Sequence, residues 1–176
     1  MRFLFVGDAL YRGMSESDDY KRRLADTAYE LRLTEYCVFA GNRLDVECLY
    51  PLCDVTVLPS LFEGTPNVLL ESMACGVPVV ATDVSDNRDL VPDGEVGYVV
   101  PSNDERALAA RVSELLADES LRSAMSRRAR EWAVGQLSSE RLAERTAGVY
   151  REVVGTRRGA IGREPLGSSA DERPRA

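Results

Sequence analysis

Histidine is absent from this sequence, and lysine occurs once, at Lys21. Without an imidazole the commonest general base is missing. No Ser-His or Cys-His nucleophile system can be assembled from this chain alone. Cys37, Cys48, Cys53 and Cys75 show no C-x-x-C spacing, which argues against a zinc site, since zinc needs thiolates or imidazoles at close spacing. Three of the four lie in apolar surroundings and are expected to be small core residues. No apolar run approaches the ~20 residues that span a bilayer. The opening Met1–Gly7 stretch is broken by Gly7-Asp8 too early for a signal peptide, and a cytoplasmic protein is expected. Clusters of basic residues are also missing from the body of the chain, and the net charge is −7. No nucleic-acid partner is expected, and the acidity reads as a solubility device.

What is present suits a folded domain. The chain has 176 residues, 44% of them apolar, enough for one domain of ordinary size with a core. Short β-branched runs alternate with longer amphipathic segments. Strands are expected at 2–6, 36–40, 54–58, 77–82 and 96–100, with helices at 17–33, 45–52, 67–75, 104–117, 120–134 and 139–153. This alternation predicts an α/β fold with a mostly parallel, Rossmann-like sheet covered by helices on both faces. Val55–Leu58 and Val77–Val80 read as strands buried on both sides.

Several boundaries follow from local chemistry. Pro66 suits a first helical position with Thr65 as its cap. Gly76 can take the left-handed conformation that ends that helix, and Pro78 cannot extend it. Ser102-Asn103-Asp104-Glu105 brings capping oxygens and acidic charge to the next helix. From Gly155 to Ala176 the pattern dissolves into Gly, Arg, Pro, Ser and acids, and a disordered tail is expected over 155–176 after a domain over 1–154. The tail's arginines leave peripheral contact with an anionic membrane surface open, although a solvated tail is the simpler reading.

The segment from Pro59 to Thr82 carries the chemistry: PSLFEGTPNVLLESMACGVPVVAT. It reads as loop, helix and strand, leaving the carboxyl end of a parallel strand, where open α/β sheets bind ligands. Free backbone N–H groups and the helix dipole near Asn67 favour a phosphate, and Gly64 lets a ligand approach the backbone. Glu63 stands in the loop and Glu71 one turn beyond Asn67. Two carboxylates beside an anion site make sense as acceptors for hydroxyl groups, as on a sugar and a ribose. For any isolated pair of glutamates at this spacing, an exposed helix residue and an ordinary loop acid would be the plainer explanation. Here the Glu-Gly-x-Pro loop, the Ala-x-Gly-x-Pro exit and the apolar strand agree with each other.

This pattern resembles the retaining glycosyltransferases of the GT-B fold, the group 1 or family 4 enzymes. Their sequences run approximately Pro-Ser, a short gap, Glu-Gly, Leu-Glu-Ala-Met-Ala, then Gly-x-Pro-Val-Val-Ala-Thr. The resemblance extends from Arg2 to about Val154 and includes Leu4–Asp8, Val38–Gly41, Asp54–Leu58 and Pro92-Asp93-Gly94. It implies the donor-binding, C-terminal half of a GT-B fold. Glu63 would be the catalytic carboxylate, meeting the donor sugar's hydroxyls and stabilising positive charge at the anomeric carbon. Gly64 and the backbone amides near Thr65, Asn67 and Val68 would meet the diphosphate, and Glu71 the ribose. Arg43 and Leu44 would flank the nucleobase, an ordinary loop being an equal alternative. No metal and no cofactor are implied, only a nucleotide-sugar donor as substrate.

The sequence departs from the family pattern in places. Ser72 stands for an alanine, Ser85-Asp86 for a pair of glycines and Asp89 for a glutamate. The family's first, central strand and its basic loop are not found before Arg2. Strands 2–6 and 54–58 are then expected either to pair directly or to leave backbone groups unpaired. The acceptor domain is likewise missing, as a covalent half or a separate subunit. The chain alone is expected to be inactive, acting as part of a two-domain enzyme or as a non-catalytic nucleotide-sugar-binding module. The apolar positions of the last helix, from Leu142 to Val154, are expected either to pack on the domain or to stay exposed.

Overall fold

The structure is a computed structural model and describes residues 1–7 and 15–161. It is an α/β protein of five parallel strands and seven α-helices among the described residues, in two compact units, Met1–Leu52 and Cys53–Ala176.

In the first unit, β1 (Phe3–Val6) pairs in parallel with β2 (Cys37–Gly41). Phe5 and Phe39 are register partners, and their rings stack with centroids 4.8 Å apart. α1 (Ser15–Glu30) is the crossover between the strands, as a parallel pair requires. It closes with two hydrogen bonds, Arg32 N–H to the Tyr29 carbonyl and Leu33 N–H to the Ala28 carbonyl. Arg32 takes the left-handed conformation usually left to glycine in that motif (φ 56°). A 3-10 turn at Thr34–Tyr36 leads into β2. The expected helix at 45–52 is α2 (Val46–Leu49) followed by a 3-10 turn, Tyr50–Leu52.

The second unit holds a sheet in the order β3-β4-β5, with β3 (Thr56–Leu58), β4 (Val79–Thr82) and β5 (Gly97–Val100) all parallel. Alternate side chains feed two faces. Val79, Ala81 and Val99 pack with Leu69 and Met73 of α3 (Asn67–Ala74) and Ala129 and Ala133 of α6 (Glu119–Gln136). Val80, Tyr98 and Val100 pack with Leu115 of α5 (Glu105–Ala117) and Met125 of α6. A short α4 (Asn87–Leu90), not anticipated from the sequence, follows β4. Gly97 belongs to β5 because a Cβ there would lie 2.5 Å from the Val79 carbonyl oxygen.

Helix ends in this unit are satisfied across elements. Gly76 is left-handed (φ 75°), as expected, and the Gly76 and Val77 amides bond back to Met73 and Ser72. Ser126 and Arg130 of α6 donate to the Gly76 and Ala74 carbonyls, placing a cation at the C-terminus of α3. Asp104 caps α5 through the Ala107 amide, and Asp118 caps α6 through the Leu121 amide.

Of the two outcomes expected for 2–6 and 54–58, direct pairing is not found, since β1 pairs with β2 and β3 with β4. Some other expectations fail for physical reasons. β4 is buried throughout, but β3 is not, since Val57 keeps 38% of its surface. β3 hydrogen-bonds only to β4 within this sheet and lies at its edge. None of the four cysteines is fully buried, and Cys48 is exposed. The last helix, α7 (Ser139–Ile161), runs past Gly155 rather than dissolving there. Each of Gly155 and Gly159 costs a helix only ~1 kcal/mol, and the arginines between them favour helix. The rest of the expected tail, 162–176, lies outside the described residues. Leu142, Val149, Tyr150, Val153 and Val154 of α7 are all exposed.

Candidate functional site

The loop 59–66 leaves the carboxyl end of β3 and enters α3, while the loop 83–86 leaves the carboxyl end of the adjacent β4. The two loops are joined by side chains. Buried Thr82, the last residue of β4, donates its hydroxyl to the Ser60 carbonyl at 2.6 Å. Ser60 Oγ donates to Glu63 Oε1 at 2.5 Å, the short range of a hydroxyl bonded to a carboxylate. From the other loop, Ser85 Oγ donates to the Glu63 carbonyl oxygen at 2.5 Å. Glu63 is half-buried, held at its carboxylate from its own loop and at its backbone from the neighbouring one.

Thr65 does not cap α3. The N-cap is Pro66, without a side-chain cap bond, and the Thr65 hydroxyl donates instead to Asp86 Oδ2 at 3.2 Å. With helical geometry starting at Asn67, Pro66 is extended (φ −78°, ψ 102°), and its ring holds φ there. Thr65, Asn67 and Glu71 are exposed, as are Gly64 and Val68. Asn67 and Glu71 share one face of α3, four residues apart. No Cβ at Gly64 would meet another atom within 4 Å, so its surroundings are open.

Beneath the second loop, Asn87 is fully buried and donates from Nδ2 to the Thr82 carbonyl at 2.8 Å, while its Oδ1 has no partner among the described residues. Asp83 and Arg88 form an exposed pair in which Nε and Nη2 both donate to Asp83 Oδ2. The hydrogen bond from Arg88 is the main cause holding the Asp83 carboxyl below its usual range.

Arg43 and Leu44 belong to the first unit. The Arg43 guanidinium grips Asp45 with two bonds, Nε to Oδ1 at 2.8 Å and Nη2 to Oδ2 at 2.6 Å. These bonds lower the Asp45 carboxyl and raise Arg43. Leu44 is 95% exposed. Among the described residues, no group of three or more His, Cys, Asp or Glu side chains is arranged to hold a metal ion. No helix there is long and apolar enough to cross a membrane. Two shallow depressions, one around Tyr29, Arg32 and Glu35 and one around Tyr150 and Val154, include none of these site residues.

Sequence reasoning missed Ser60, Thr82, Ser85, Asp86 and Asn87 as members of this cluster. The signal available for Ser85 and Asp86 was their departure from a glycine pair, whose consequence depends on which residues they face.

A family model described as "Glycosyl transferases group 1" matches residues 1–132. The N-acetyl-alpha-D-glucosaminyl L-malate synthase of Bacillus anthracis is 33% identical over 124 residues, 70% of this chain and 32% of that protein. The lipopolysaccharide core biosynthesis glycosyltransferase LpsE of Rhizobium meliloti is 34% identical over 132 residues, 75% of this chain and 38% of that one. This chain therefore spans about a third of the length of the curated relatives it matches. Among solved structures, HepE of Anabaena in complex with UDP superimposes with a TM-score of 0.79 at 25% identity, over 86% of this chain and 41% of that one. The same protein with UDP-glucose gives 0.77.

Proposed function

The chain belongs to the group 1 glycosyl transferases, and on that premise we propose that it is the donor-binding half of a two-domain GT-B enzyme. That enzyme transfers a glycosyl group from a nucleotide-activated sugar with retention at the anomeric carbon. The observation that carries the reading is the held Glu63 carboxylate at the carboxyl ends of adjacent parallel strands, beside the N-terminus of α3. That is where an open parallel sheet receives a ligand, and the similar HepE binds UDP and UDP-glucose in its solved structures.

In this reading Glu63 accepts hydrogen bonds from the sugar and opposes the positive charge that develops at the anomeric carbon. The backbone amides of Thr65, Asn67 and Val68 receive the diphosphate at the helix terminus, with Gly64 allowing close approach. Glu71, on the same face as Asn67, takes the ribose hydroxyls. Arg43 and Leu44 flank the base, the Asp45 pair fixing the plane of the guanidinium. No metal takes part, and the site of action is the cytoplasm. The acceptor is held by a domain or separate subunit outside this chain, and the exposed apolar positions of α7 support such a partner. Alone, the chain binds the donor and does not transfer it.

Isothermal titration of the chain with UDP, UDP-glucose and a guanosine diphosphate sugar tests donor binding. Saturable heat from one nucleotide family is expected, unchanged in a chelator. Absence of binding to all of them would sink the reading. Robust sugar transfer by the chain alone would overturn its proposed inactivity.

A further inference from the structure

Ser85 occupies a left-handed backbone conformation (φ 48°) that residues other than glycine, asparagine and aspartate rarely adopt. Its hydroxyl has a definite partner, the Glu63 carbonyl, 22 residues earlier in the chain. The neighbouring Asp86 takes the Thr65 hydroxyl, two residues beyond Glu63. The 83–86 loop thus grips the 59–66 loop on both sides of Gly64. Ser60, anchored by Thr82, fixes the Glu63 carboxylate from below.

We propose that Ser85 and Ser60 are positioning residues for Glu63, setting its backbone and its carboxylate before any ligand arrives. The proposal rests on the donor-binding reading for its consequence, and on the hydrogen bonds alone for the latch itself. A loop glutamate beside a glycine would otherwise sample many rotamers, and ordering it would subtract from binding. With Oε1 held by Ser60, Oε2 is the oxygen that can accept a hydrogen bond from a sugar hydroxyl. The latch therefore bears first on the Glu63 carboxylate and so on recognition of the sugar, while the Asn67 and Val68 amides that would receive the diphosphate lie in α3, outside the latched loop.

Ser85→Gly separates the hydroxyl from the backbone, because glycine adopts this φ without strain. Amide hydrogen exchange on the full chain is expected to quicken several-fold over residues 61–65 in Ser85→Gly, with β4 and β5 unchanged. Unaltered exchange over 61–65 would overturn the latch whether or not a nucleotide binds. Titrations with UDP and UDP-glucose then test its role. In Ser85→Gly and Ser60→Ala the affinity for UDP-glucose should fall about three- to tenfold while that for UDP holds, and Ser60→Thr should restore it. An equal loss for both ligands, or no loss, refutes positioning of the sugar contact. If the unaltered chain binds neither ligand, the donor-binding reading and the positioning role fall together, and hydrogen exchange decides the latch.

Discussion

Ser72 Oγ, fully buried on α3, lies 2.8 Å from Thr56 Oγ1 on β3 and 3.1 Å from the Val77 carbonyl oxygen. The residue that replaces the family's usual alanine therefore ties the helix after the Glu63 loop to the strand before it. One net hydrogen bond is worth ~1 kcal/mol, and alanine's better helix propensity returns up to about half of that. Ser72→Ala should lower the thermal midpoint by roughly 1–4 °C. The single tryptophan, Trp132, whose indole donates to the Leu90 carbonyl, supplies the fluorescence signal. A higher midpoint would mean the tie contributes nothing.

Gly97→Ala should destabilise by about 1–3 kcal/mol through overpacking. The new Cβ would meet the Val79 carbonyl oxygen at 2.5 Å and Val79 Cγ2 at 2.7 Å. The first of these is backbone in the middle strand and cannot swing aside. Urea denaturation monitored at Trp132 measures the change, and a neutral result would show that β5 shifts freely.

Leu69 is fully buried between α3 and the sheet, with Met73, Val79 and Ala129 in the same cluster. Leu69→Ala should cost about 2–5 kcal/mol, the range for a buried leucine leaving a cavity. The same substitution at exposed Leu142 of α7 should cost little in the chain alone. Equal losses at the two positions would contradict this division of buried and exposed faces.

Tyr98 is buried under Arg111 and donates its hydroxyl to Glu114 at 3.3 Å. Burial, then the charge of Glu114, pushes its phenol above the ordinary 10.0. Folding thus favours the neutral phenol, and the unfolded chain ionises first as pH rises. The contribution is whole below about pH 10 and is lost as pH climbs through the folded-state value. Tyr98→Phe should flatten the alkaline decline in stability above about pH 10. Parallel declines for the two proteins would remove Tyr98 as a cause.

The two glutamates should separate in binding. Glu71→Ala should weaken UDP and UDP-glucose alike, by about tenfold for a lost pair of hydroxyl contacts. Glu63→Gln should leave UDP nearly unchanged and weaken UDP-glucose. Calorimetry on each variant measures the split, and the reverse pattern would exchange the proposed roles.

The legible parts of the fold were those with local causes. Val79–Thr82 is a short, wholly apolar-to-threonine run and is buried on both faces. Gly76 and Asp104 end and begin helices through bonds within a few residues. Thr65 misled because its hydroxyl had two competing uses, a local cap and a bond to Asp86 in another loop, and the distant partner won. Val57 misled because a β-branched run does not reveal whether its strand lies at the centre or the edge of a sheet. α4 was invisible because four residues are too few for a helical period to register.

By itself the sequence determined the alternating strands and helices, the position of Glu63 ahead of α3, and the four-residue step from Asn67 to Glu71. Each of these depends on spacing along the chain. Only the tertiary structure decided what holds Glu63, because Ser60 and Ser85 reach it from the loops after two neighbouring strands, and Thr82 at the end of the second strand holds Ser60. Ser85 read as a departure in sequence. Its hydroxyl found the Glu63 carbonyl only when β3 and β4 paired in register, Leu58 beside Ala81, and brought their loops together.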